Sequence, residues 1–311
     1  MTANDSALGR FTSPLYRVAE RLARRVPKRW DEGLLTVAAT VAIAVMPRRR
    51  QMVARHLQRV AGRPLQGPER RRAVQASFRS YARYWLDTFR LAELASDDLD
   101  ARIEATDVLA VLDDALAEGR GAILVTPHFG SWDLGGAWLA GRGYPLVTVV
   151  EPLRPRRVLE WFLETRQQRG ITALVRGPGV RDELAAALRR NQVVVLVCDR
   201  DLGGRGPTVK FFGERTTLPS GPARLARQVG APLIPVAIYH LGDGHHRGVA
   251  RPPVAVPHTD DEPADIAATT QQLARELEAI VVAAPEQWHL MVPNWPSDRA
   301  RGWARHTGST R

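Results

Sequence analysis

The sequence predicts an α/β fold: a largely parallel, twisted sheet flanked by helices, with a basic amphipathic helical extension at the N-terminus. Two observations support this prediction. From about Ile103 onward, short apolar runs alternate with helical patterns, which is typical of a mostly parallel sheet. Before that point the chain shows helical periodicity only, with many arginines. The sequence contains no internal repeat.

The composition is that of a globular protein with an unusual charge. Hydrophobic residues make up 44% and charged residues 25% of the chain, but the formal net charge is +11. Such a charge indicates an anionic partner, which could be a nucleic acid, a phospholipid surface or a polyphosphate substrate. The single cysteine, Cys198, excludes a disulfide framework and a thiolate metal site, and it fits a reducing cytoplasm. We therefore expect no bound metal.

The N-terminal helices are the candidate membrane-facing part of the chain. Met1–Arg10 lacks the pattern of a signal peptide. Leu15–Trp30 predicts a helix with one apolar and one arginine-rich face, which suits either an interfacial helix or a helix packed on the core. The apolar run Gly33–Met46 is shorter than the ~20 residues of a spanning helix, so it is either buried or shallowly inserted. We expect the protein to lie on a membrane without crossing it.

Two further amphipathic helices should follow, over Gln51–Val60 and Arg70–Leu94. In the second helix, apolar side chains recur at a spacing of three or four residues, as a core stripe requires; they are Val74, Phe78, Tyr81, Trp85 and Phe89. Arg83 and Arg90 are expected at the surface, with contact to a ligand phosphate as the alternative.

The sheet region predicts the remaining elements in order. The expected strands cover Ala122–Thr126, Leu146–Val150, Ala173–Val175, Val193–Val197, Val209–Gly213 and Leu233–Tyr239. The expected helices cover Leu109–Glu118, Trp132–Ala140, Arg157–Arg169, Arg181–Arg190, Gly221–Val229 and Ala264–Ala283.

Titratable side chains follow three of these strands at their carboxyl ends. They are His128, then Glu151, then the cluster Asp199, Arg200 and Asp201. Ligands of open α/β sheets bind at such strand ends, and consecutive strands tend to be neighbours in space. We therefore expect these groups to share one pocket. The alternative is that strand ends simply meet water.

His128 is the candidate general base. Asp133 follows it by five positions, at the start of the next helix, where a tight turn could aim the carboxylate at one imidazole nitrogen. An imidazole oriented by a carboxylate can take a proton from a substrate. The alternative is a surface histidine beside an aspartate that caps the helix.

An ordered set of motifs carries a family resemblance. His128-x4-Asp133, then Asp199-x-Asp201 after an apolar strand, then Phe211-Phe212-Gly213 and a Gly-Pro-Ala helix leading to Gly230-Ala-Pro-Leu-Ile-Pro-Val236 resemble the bacterial lysophospholipid acyltransferase-like superfamily. Within it, the chain is similar to the lipid A acyltransferase family and its actinobacterial branch, the phosphatidylinositol mannoside acyltransferases. Pro127–Asp133, Val150–Pro155, Tyr84-Trp85 with Phe89–Leu91, and Trp288-His289 before Pro293 are similar to that branch.

The resemblance implies transfer of a fatty acyl chain from acyl-CoA to a sugar hydroxyl of a membrane glycolipid. It implies His128 as the base and makes Asp199 its partner, where the branch usually carries Glu, so Asp133 and Asp199 are competing candidates. Glu151 and Arg166 match positions that line the polar pocket for the mannose or the pantetheine end of the donor. We also expect Arg200 and Asp201 to contact substrate, and Phe211 and Phe212 to wall the acyl tunnel or to pack in the core.

Two further expectations concern the chemistry. The backbone amides near Phe129 and Gly130 are candidate donors to the oxyanion of the tetrahedral intermediate. No acyl-enzyme is expected, because Cys198 has no second base beside it in the predicted layout. No cofactor is expected beyond acyl-CoA as donor substrate.

We expect three regions in the chain. Residues 1–66 form a basic membrane-associating region, residues 67–298 the acyltransferase domain, and residues 299–311 a disordered tail. We expect the protein to be attached peripherally to the anionic surface of the cytoplasmic face of the plasma membrane.

The sequence leaves alternative functions open. The alternative acceptors are a lipid A precursor or a lysophospholipid. A basic nucleic-acid-binding protein is the alternative from another class, but the sequence carries no helix-turn-helix, zinc or ribonucleoprotein signature, and no nucleic acid is expected.

Overall fold

The structure is a computed structural model that describes residues 21–153 and 155–299. The start of the predicted helix Leu15–Trp30, the segment Met1–Arg10 and nearly all of the predicted tail, residues 300–311, lie outside the described residues. Residues 21–25 are helical, and a short 3₁₀ turn over Lys28–Trp30 leads into the first complete helix.

Within the described residues, nine strands form two sheets. The strands are β1 (Ile103–Glu104), β2 (Ala122–Thr126), β3 (Leu146–Val150), β4 (Thr172–Val175), β5 (Val193–Val197), β6 (Thr208–Phe211), β7 (Glu214–Thr217), β8 (Leu233–Gly242) and β9 (His245–Ala250). Seven of them make a mixed sheet in the order β1-β9-β8-β2-β5-β3-β4. Only the β8–β9 pair in this sheet is antiparallel. Strands β6 and β7 form a separate antiparallel hairpin.

The described α-helices flank this sheet or form a layer before it. They are α1 (Asp31–Val45), α2 (Pro47–Ala61), α3 (Gly67–Arg90), α4 (Ser96–Asp100), α5 (Thr106–Ala117), α6 (Trp132–Gly141), α7 (Arg156–Gln167), α8 (Val180–Arg189), α9 (Gly221–Val229), α10 (Glu262–Ala283) and α11 (Pro296–Arg299). The predicted fold class, a mostly parallel sheet flanked by helices, is confirmed.

The central strands are almost entirely apolar because helices cover both faces of the sheet. In β2, Ile123 and Val125 join a core with α8, α9 and α10, whereas Ala122 and Leu124 join a second core with α5 and α6. Side chains alternate between the two faces of a strand, so a strand covered on both sides reads as a continuous apolar run. All five residues of β2 are buried.

The helical layer that precedes the sheet packs on α3. Ala39 of α1, Val53 and Leu57 of α2, and Val74 and Phe78 of α3 share one apolar cluster. Among the described helices, none is by itself long and apolar enough to cross a bilayer. One pair, Lys28–Val45 with Pro47–Ala61, meets the requirements of length and composition only as two segments bent by 104°.

The expected surface position of Arg83 and Arg90 is wrong, and so is the alternative of a ligand phosphate. Arg90 makes two hydrogen bonds to Asp31, at 2.6 and 2.8 Å, and one each to the carbonyls of Ala23 and Val26. Arg83 is buried beside the same carboxylate. Both side chains therefore join α3 to the segment that begins α1.

Candidate active site

Three neighbouring strands bring the predicted polar groups together. Strand β5 lies between β2 and β3 and pairs with both in parallel. Thr126 at the end of β2 is opposite Val197 at the end of β5, so His128 and Asp199 both follow their strands by two residues. Glu151 directly follows β3. The expected convergence of these groups is what the strand order produces.

His128 and Asp199 form a hydrogen-bonded pair at this edge. The imidazole Nδ1 lies 2.6 Å from Asp199 Oδ1, and the backbone N–H of His128 donates to Asp199 Oδ2 at 3.1 Å. The carboxylate is fully buried, whereas 29% of the His128 side chain is exposed. With Nδ1 engaged, the imidazole Nε2 is the nitrogen left for a substrate.

The pair sets the protonation of both groups. Burial opposes the imidazolium form of His128, but the charge of Asp199 and its hydrogen bond outweigh burial, so the pKa of His128 is raised above its usual 6.5. Burial likewise opposes ionisation of Asp199, yet the contacts with His128 and the Trp288 indole keep the pKa of that carboxyl below its usual 3.8. Asp199 is therefore ionised and stabilises a protonated His128.

Residues from the C-terminal part of the chain hold Asp199 in place. The Trp288 indole N–H donates to Asp199 Oδ2 at 2.7 Å, and the Asn294 side-chain amide donates to the Asp199 carbonyl at 2.9 Å. Phe129 and Trp288 form an isolated antiparallel bridge, which fastens this segment to the loop after β2. In the sequence, Trp288 stands out only as part of a stretch that is similar to the family. No local pattern assigns it or Asn294 to this contact.

Asp133 has different partners, so the competition between the two aspartates is decided by geometry. Its Oδ2 accepts a hydrogen bond from the Tyr84 hydroxyl at 2.7 Å, and its Oδ1 accepts one from Arg166 at 2.6 Å. Both carboxylate oxygens are therefore hydrogen-bonded to side chains of α3 and α7. Asp133 ties α6 to these two helices beside His128, and it does not orient the imidazole.

A cleft of about 540 Å³ opens beside the His128–Asp199 pair. His128, Glu151 and Arg200 line it, and the Arg200 guanidinium bonds both Glu151 oxygens at 2.9 and 3.0 Å. Its wall also includes apolar side chains and further arginines, among them Trp132, Leu153, Phe162, Leu184, Leu196, Leu202, Leu225, Arg166, Arg176 and Arg181. The sequence did not single out Arg176 or Arg181, because an exposed arginine near a helix start carries no signal of its own.

The remaining predicted substrate contacts fall in different places. Asp201 borders the cleft, but its carboxylate accepts the backbone N–H groups of Gly203 and Gly206 and so shapes its own loop. Phe211 is fully buried and stacks on Trp295. Phe212 packs on Trp288. Neither phenylalanine is among the described residues that line the cleft, so both follow the core-packing alternative.

One of the two predicted oxyanion donors must be corrected. The Gly130 N–H donates to the Gln287 carbonyl at 2.9 Å, and one N–H makes one good hydrogen bond, so this amide is not available to a substrate. The Phe129 N–H has no hydrogen-bond partner among the described residues. It remains the candidate donor beside His128.

Two observations bear on other kinds of chemistry. In the described part of the chain, no group of three or more His, Cys, Asp or Glu side chains is arranged to hold a metal ion. Cys198 is buried next to Asp199, and burial followed by the charge of this neighbour raises the pKa of its thiol well above the usual range. The thiol therefore stays protonated and is a poor nucleophile.

Comparison with known proteins shows the family. The model of the bacterial lipid A biosynthesis acyltransferases matches residues 5–297. The chain belongs to this family. It is 35% identical over 294 residues to the phosphatidylinositol mannoside acyltransferase of Mycolicibacterium smegmatis, with 93% of each chain covered. It is 38% identical over 227 residues to the protein of the same name from Mycobacterium tuberculosis, with coverage of 72% and 70%.

A more distant relative carries the family's own description. The lipid A biosynthesis acyltransferase of Haemophilus influenzae is 29% identical over 182 residues, which cover 57% of this chain and 54% of that protein. As a member of the lipid A biosynthesis acyltransferase family, the chain is an acyltransferase. The resemblance read from the ordered motifs is thereby confirmed.

Proposed function

We propose that this acyltransferase moves a fatty acyl chain, palmitoyl in the first instance, from acyl-CoA to a mannose hydroxyl of a phosphatidylinositol mannoside. The observation that carries the proposal is the 2.6 Å contact between His128 Nδ1 and Asp199 Oδ1 at the wall of the cleft. This contact fixes the imidazole and leaves Nε2 toward the cleft. A base in that position suits a reaction whose nucleophile is an alcohol.

In the proposed step, the hydroxyl oxygen of the sugar attacks the carbonyl carbon of the thioester while Nε2 of His128 takes the hydroxyl proton. The carbonyl π electrons move to oxygen, and the Phe129 N–H is the proposed donor to this oxyanion. When the tetrahedral intermediate collapses, the C–S bond breaks and an ester forms. The imidazolium of His128 returns its proton to the departing CoA thiolate, so the enzyme ends as it began.

Asp199 supports both proton transfers. Its charge favours the imidazolium, and its bond to Nδ1 keeps that nitrogen protonated and the ring oriented, while the bond from the His128 backbone N–H holds the carboxylate in place. The bond from Trp288 compensates for the burial of the carboxylate. The proposed reaction has no covalent acyl-enzyme intermediate, in keeping with a Cys198 thiol that stays protonated.

The arginines of the cleft are the proposed partners of the phosphates of CoA. Arg176 and Arg181 are exposed at its rim, and neither takes part in an ion pair between described residues. Arg166 and Arg200 are engaged by Asp133 and Glu151 instead. Unpaired guanidinium groups at the mouth of a cleft suit phosphate oxygens.

The donor assignment is tested by comparing two thioesters. The double variant Arg176→Gln/Arg181→Gln should raise KM for palmitoyl-CoA by about tenfold or more, because it removes one or two charged hydrogen bonds to the phosphates. It should leave KM for S-palmitoyl-pantetheine unchanged, because that donor lacks the nucleotide phosphates. An equal rise with both donors would contradict the assignment.

The acceptor is proposed from the relatives. Two of them are named phosphatidylinositol mannoside acyltransferases and cover most of the chain, whereas the relative named for lipid A is more distant. The purified protein is incubated with labelled palmitoyl-CoA and either a mannosylated phosphatidylinositol, a lipid A precursor or a lysophospholipid, and the products are read by mass spectrometry. We expect labelled ester on the mannoside. Preference for either other acceptor would overturn this part of the proposal.

The protein is proposed to attach to the cytoplasmic face of the plasma membrane, and the exposed face of α1 supports contact with a bilayer. Leu35 and Ala39 of this helix are buried, whereas Val37, Val41 and Val45 are 61%, 55% and 66% exposed. These three valines recur every four residues and so form one apolar stripe. A stripe of this kind, beside many arginines, suits an anionic bilayer surface.

Flotation with vesicles tests this attachment. Val37→Asp/Val41→Asp should abolish flotation with vesicles that contain phosphatidylinositol. The matched control is Leu241→Asp/Val282→Asp, which places the same charges at residues that are 52% and 55% exposed elsewhere on the molecule. Equal flotation of both variants would contradict docking through α1. Tight retention on duplex DNA without flotation would instead favour the nucleic-acid alternative.

A further inference from the structure

A second cavity lies in the helical layer, on residues other than those of the active-site cleft. Its volume is about 570 Å³, within the range of ligand sites. It occupies the elbow between α1 and α2 and is closed by the first turns of α3. The lining residues are Thr40, Ile43, Arg50, Ala54, Gly67, Arg70, Arg71, Val74 and Gln75.

The lining of this cavity divides into an apolar floor and a cationic rim. Ala54 and Val74 are buried and belong to the apolar cluster of the layer, with Ile43 packed against it. Arg70 and Arg71 are exposed on α3, as is Arg50 on α2. No acidic residue is among the nine that line the cavity. A bound group would therefore meet three guanidinium groups above and hydrocarbon below.

The three arginines of the rim lack the acidic partners that nearby arginines have. In the described residues, Arg59, Arg63 and Arg90 each pair with a carboxylate, whereas no ion pair includes Arg50, Arg70 or Arg71. Glu69, next to Arg70 in sequence, is taken by Arg63, whose Nη1 donates to it at 3.1 Å. Three clustered positive charges without a counter-charge disfavour one another unless an anion joins them.

The position of the cavity indicates where the anion comes from. Thr40 of the cavity is exposed and lies between Val37 and Val41 in sequence, on the side of α1 next to the exposed stripe of valines, whereas Ile43 lies toward the buried cluster. If that stripe rests on a bilayer, the cavity mouth lies at the level of the lipid headgroups. Guanidinium groups bind phosphate oxygens in a bidentate manner, and the apolar floor suits the start of an acyl chain.

We propose that this elbow cavity is a binding site for the phosphate headgroup of an anionic membrane phospholipid, held by Arg50, Arg70 and Arg71. It is separate from the cleft where acyl transfer is proposed, and it would anchor the protein on membranes that contain this lipid class. The proposal rests on the proposed docking of α1 for the source of the ligand. It does not rest on the acyl-transfer chemistry.

Matched charge variants distinguish specific phospholipid binding in the cavity from general electrostatic attraction of the protein to the membrane. Arg50→Gln/Arg70→Gln/Arg71→Gln removes the rim, and Arg48→Gln/Arg49→Gln/Arg72→Gln removes three exposed neighbours outside the cavity. Both triples lose the same charge, so a diffuse electrostatic attraction weakens equally in both. We expect the rim triple to bind vesicles of phosphatidylcholine with phosphatidylinositol at least about tenfold more weakly than the control triple. Equal weakening would overturn the site.

A variant without charge change tests the cavity itself. Thr40→Trp fills the mouth from an exposed position on α1, and it should weaken vesicle binding as the rim triple does while the melting temperature is retained. Wild-type affinity of this variant for the vesicles would contradict a ligand inside the cavity.

Titration with soluble ligands shows whether the cavity binds a phospholipid or a free anion. This test does not depend on binding of the protein to vesicles. Dihexanoyl phosphatidylinositol below its micellar concentration and inorganic phosphate are titrated into the full-length protein and its variants by NMR. The proposal expects the short-chain lipid to bind the wild type and the control triple but not the rim triple. Equal or tighter binding of inorganic phosphate would overturn the lipid assignment. Acylation of a mannoside in detergent reports separately on the proposed function.

Discussion

His128 and Asp199 form the contact on which the proposed chemistry depends. A carboxylate with no exposed surface is costly in a protein unless it is hydrogen-bonded. Asp199 accepts from the imidazole, from the backbone of His128 and from the Trp288 indole. These bonds keep the carboxylate charged in the interior. They also make the basicity of His128 a property of the pair.

The charge of Asp199 predicts the dependence of activity on pH. A base acts only when unprotonated, and the pKa of His128 is raised above 6.5, so kcat/KM should fall as the pH drops through that raised value. Asp199→Asn removes the charge that raises the pKa of His128, whereas the burial that lowers this pKa remains. The acid limb of kcat/KM should therefore move to lower pH, and kcat should fall by about 10²–10⁴.

The profile is measured from pH 5 to 9 with palmitoyl-CoA. Asp182→Asn, at an exposed position at the start of α8, is the matched control. An acid limb that stays in place in Asp199→Asn would show that another group sets the protonation of the base.

At the scale of elements, the turn from β2 into α6 positions His128. Gly130 has a φ of +55°, and a Cβ at this position would lie 1.8 Å from the Ile238 carbonyl oxygen of β8. Only glycine lets the turn approach the neighbouring strand so closely. The Gly130 amide also bonds to Gln287, so the turn is held from two sides.

Two glycine substitutions separate this role from general effects on α6. Gly130→Ala must push the turn away from β8, and a displacement of ~1 Å at the base should lower kcat/KM by roughly 100-fold. At Gly136 the nearest atom to an added Cβ is Ile171 Cδ1 at 3.6 Å, an ordinary contact, so Gly136→Ala should retain activity. Steady-state kinetics and thermal melts of both variants test whether the turn at Gly130 positions His128. Normal activity of Gly130→Ala would contradict the role of the turn.

The sequence predicted the central elements well because their signals are local. Strands β2, β3 and β5 have the predicted bounds, since each is a short and largely apolar run in the middle of the sheet. The hairpin partner of β8, His245–Ala250, was missed because it is polar and lies toward the edge of the sheet. The Gly242-Asp243-Gly244 turn before it is a hairpin signal that was available.

The partner of His128 could not be chosen from the sequence because it depends on strand order. Consecutive strands were expected to be neighbours, but β5 lies between β2 and β3. That order places Asp199 beside His128, and Asp133 is bound by Tyr84 and Arg166 from two other helices. The contacts from Trp288 and Asn294 come from even farther along the chain. Long-range contacts of this kind have no local pattern.

At the scale of the whole molecule, a buried ion pair holds α1 on α3, the long helix whose Tyr84 also bonds Asp133 beside the active site. Asp31, at the start of α1, meets Arg90 at the end of α3, and their side chains are 11% and 15% exposed. Removing one partner leaves the other charge nearly buried. Such a change costs about 3–5 kcal/mol of stability.

A double-mutant cycle measures this coupling. Arg90→Met and Asp31→Asn should each lower the free energy of unfolding in urea, and the double variant should lose less than the sum of the two by at least about 1 kcal/mol. Arg63→Met, which breaks the exposed pair with Glu69, is the control and should cause no measurable loss. Additive losses in the cycle would contradict a direct pair.

The most direct test of the account is the rate of palmitoyl transfer from palmitoyl-CoA to a mannosylated phosphatidylinositol by His128→Gln. This variant keeps a polar side chain of similar reach but has no basic nitrogen, and His245→Gln, at an exposed site in β9, is its control. We predict that kcat falls by about 10²–10⁴ in His128→Gln, with KM for the donor and the melting temperature unchanged, and that the control is fully active. Transfer by His128→Gln at the wild-type rate would contradict His128 as the base.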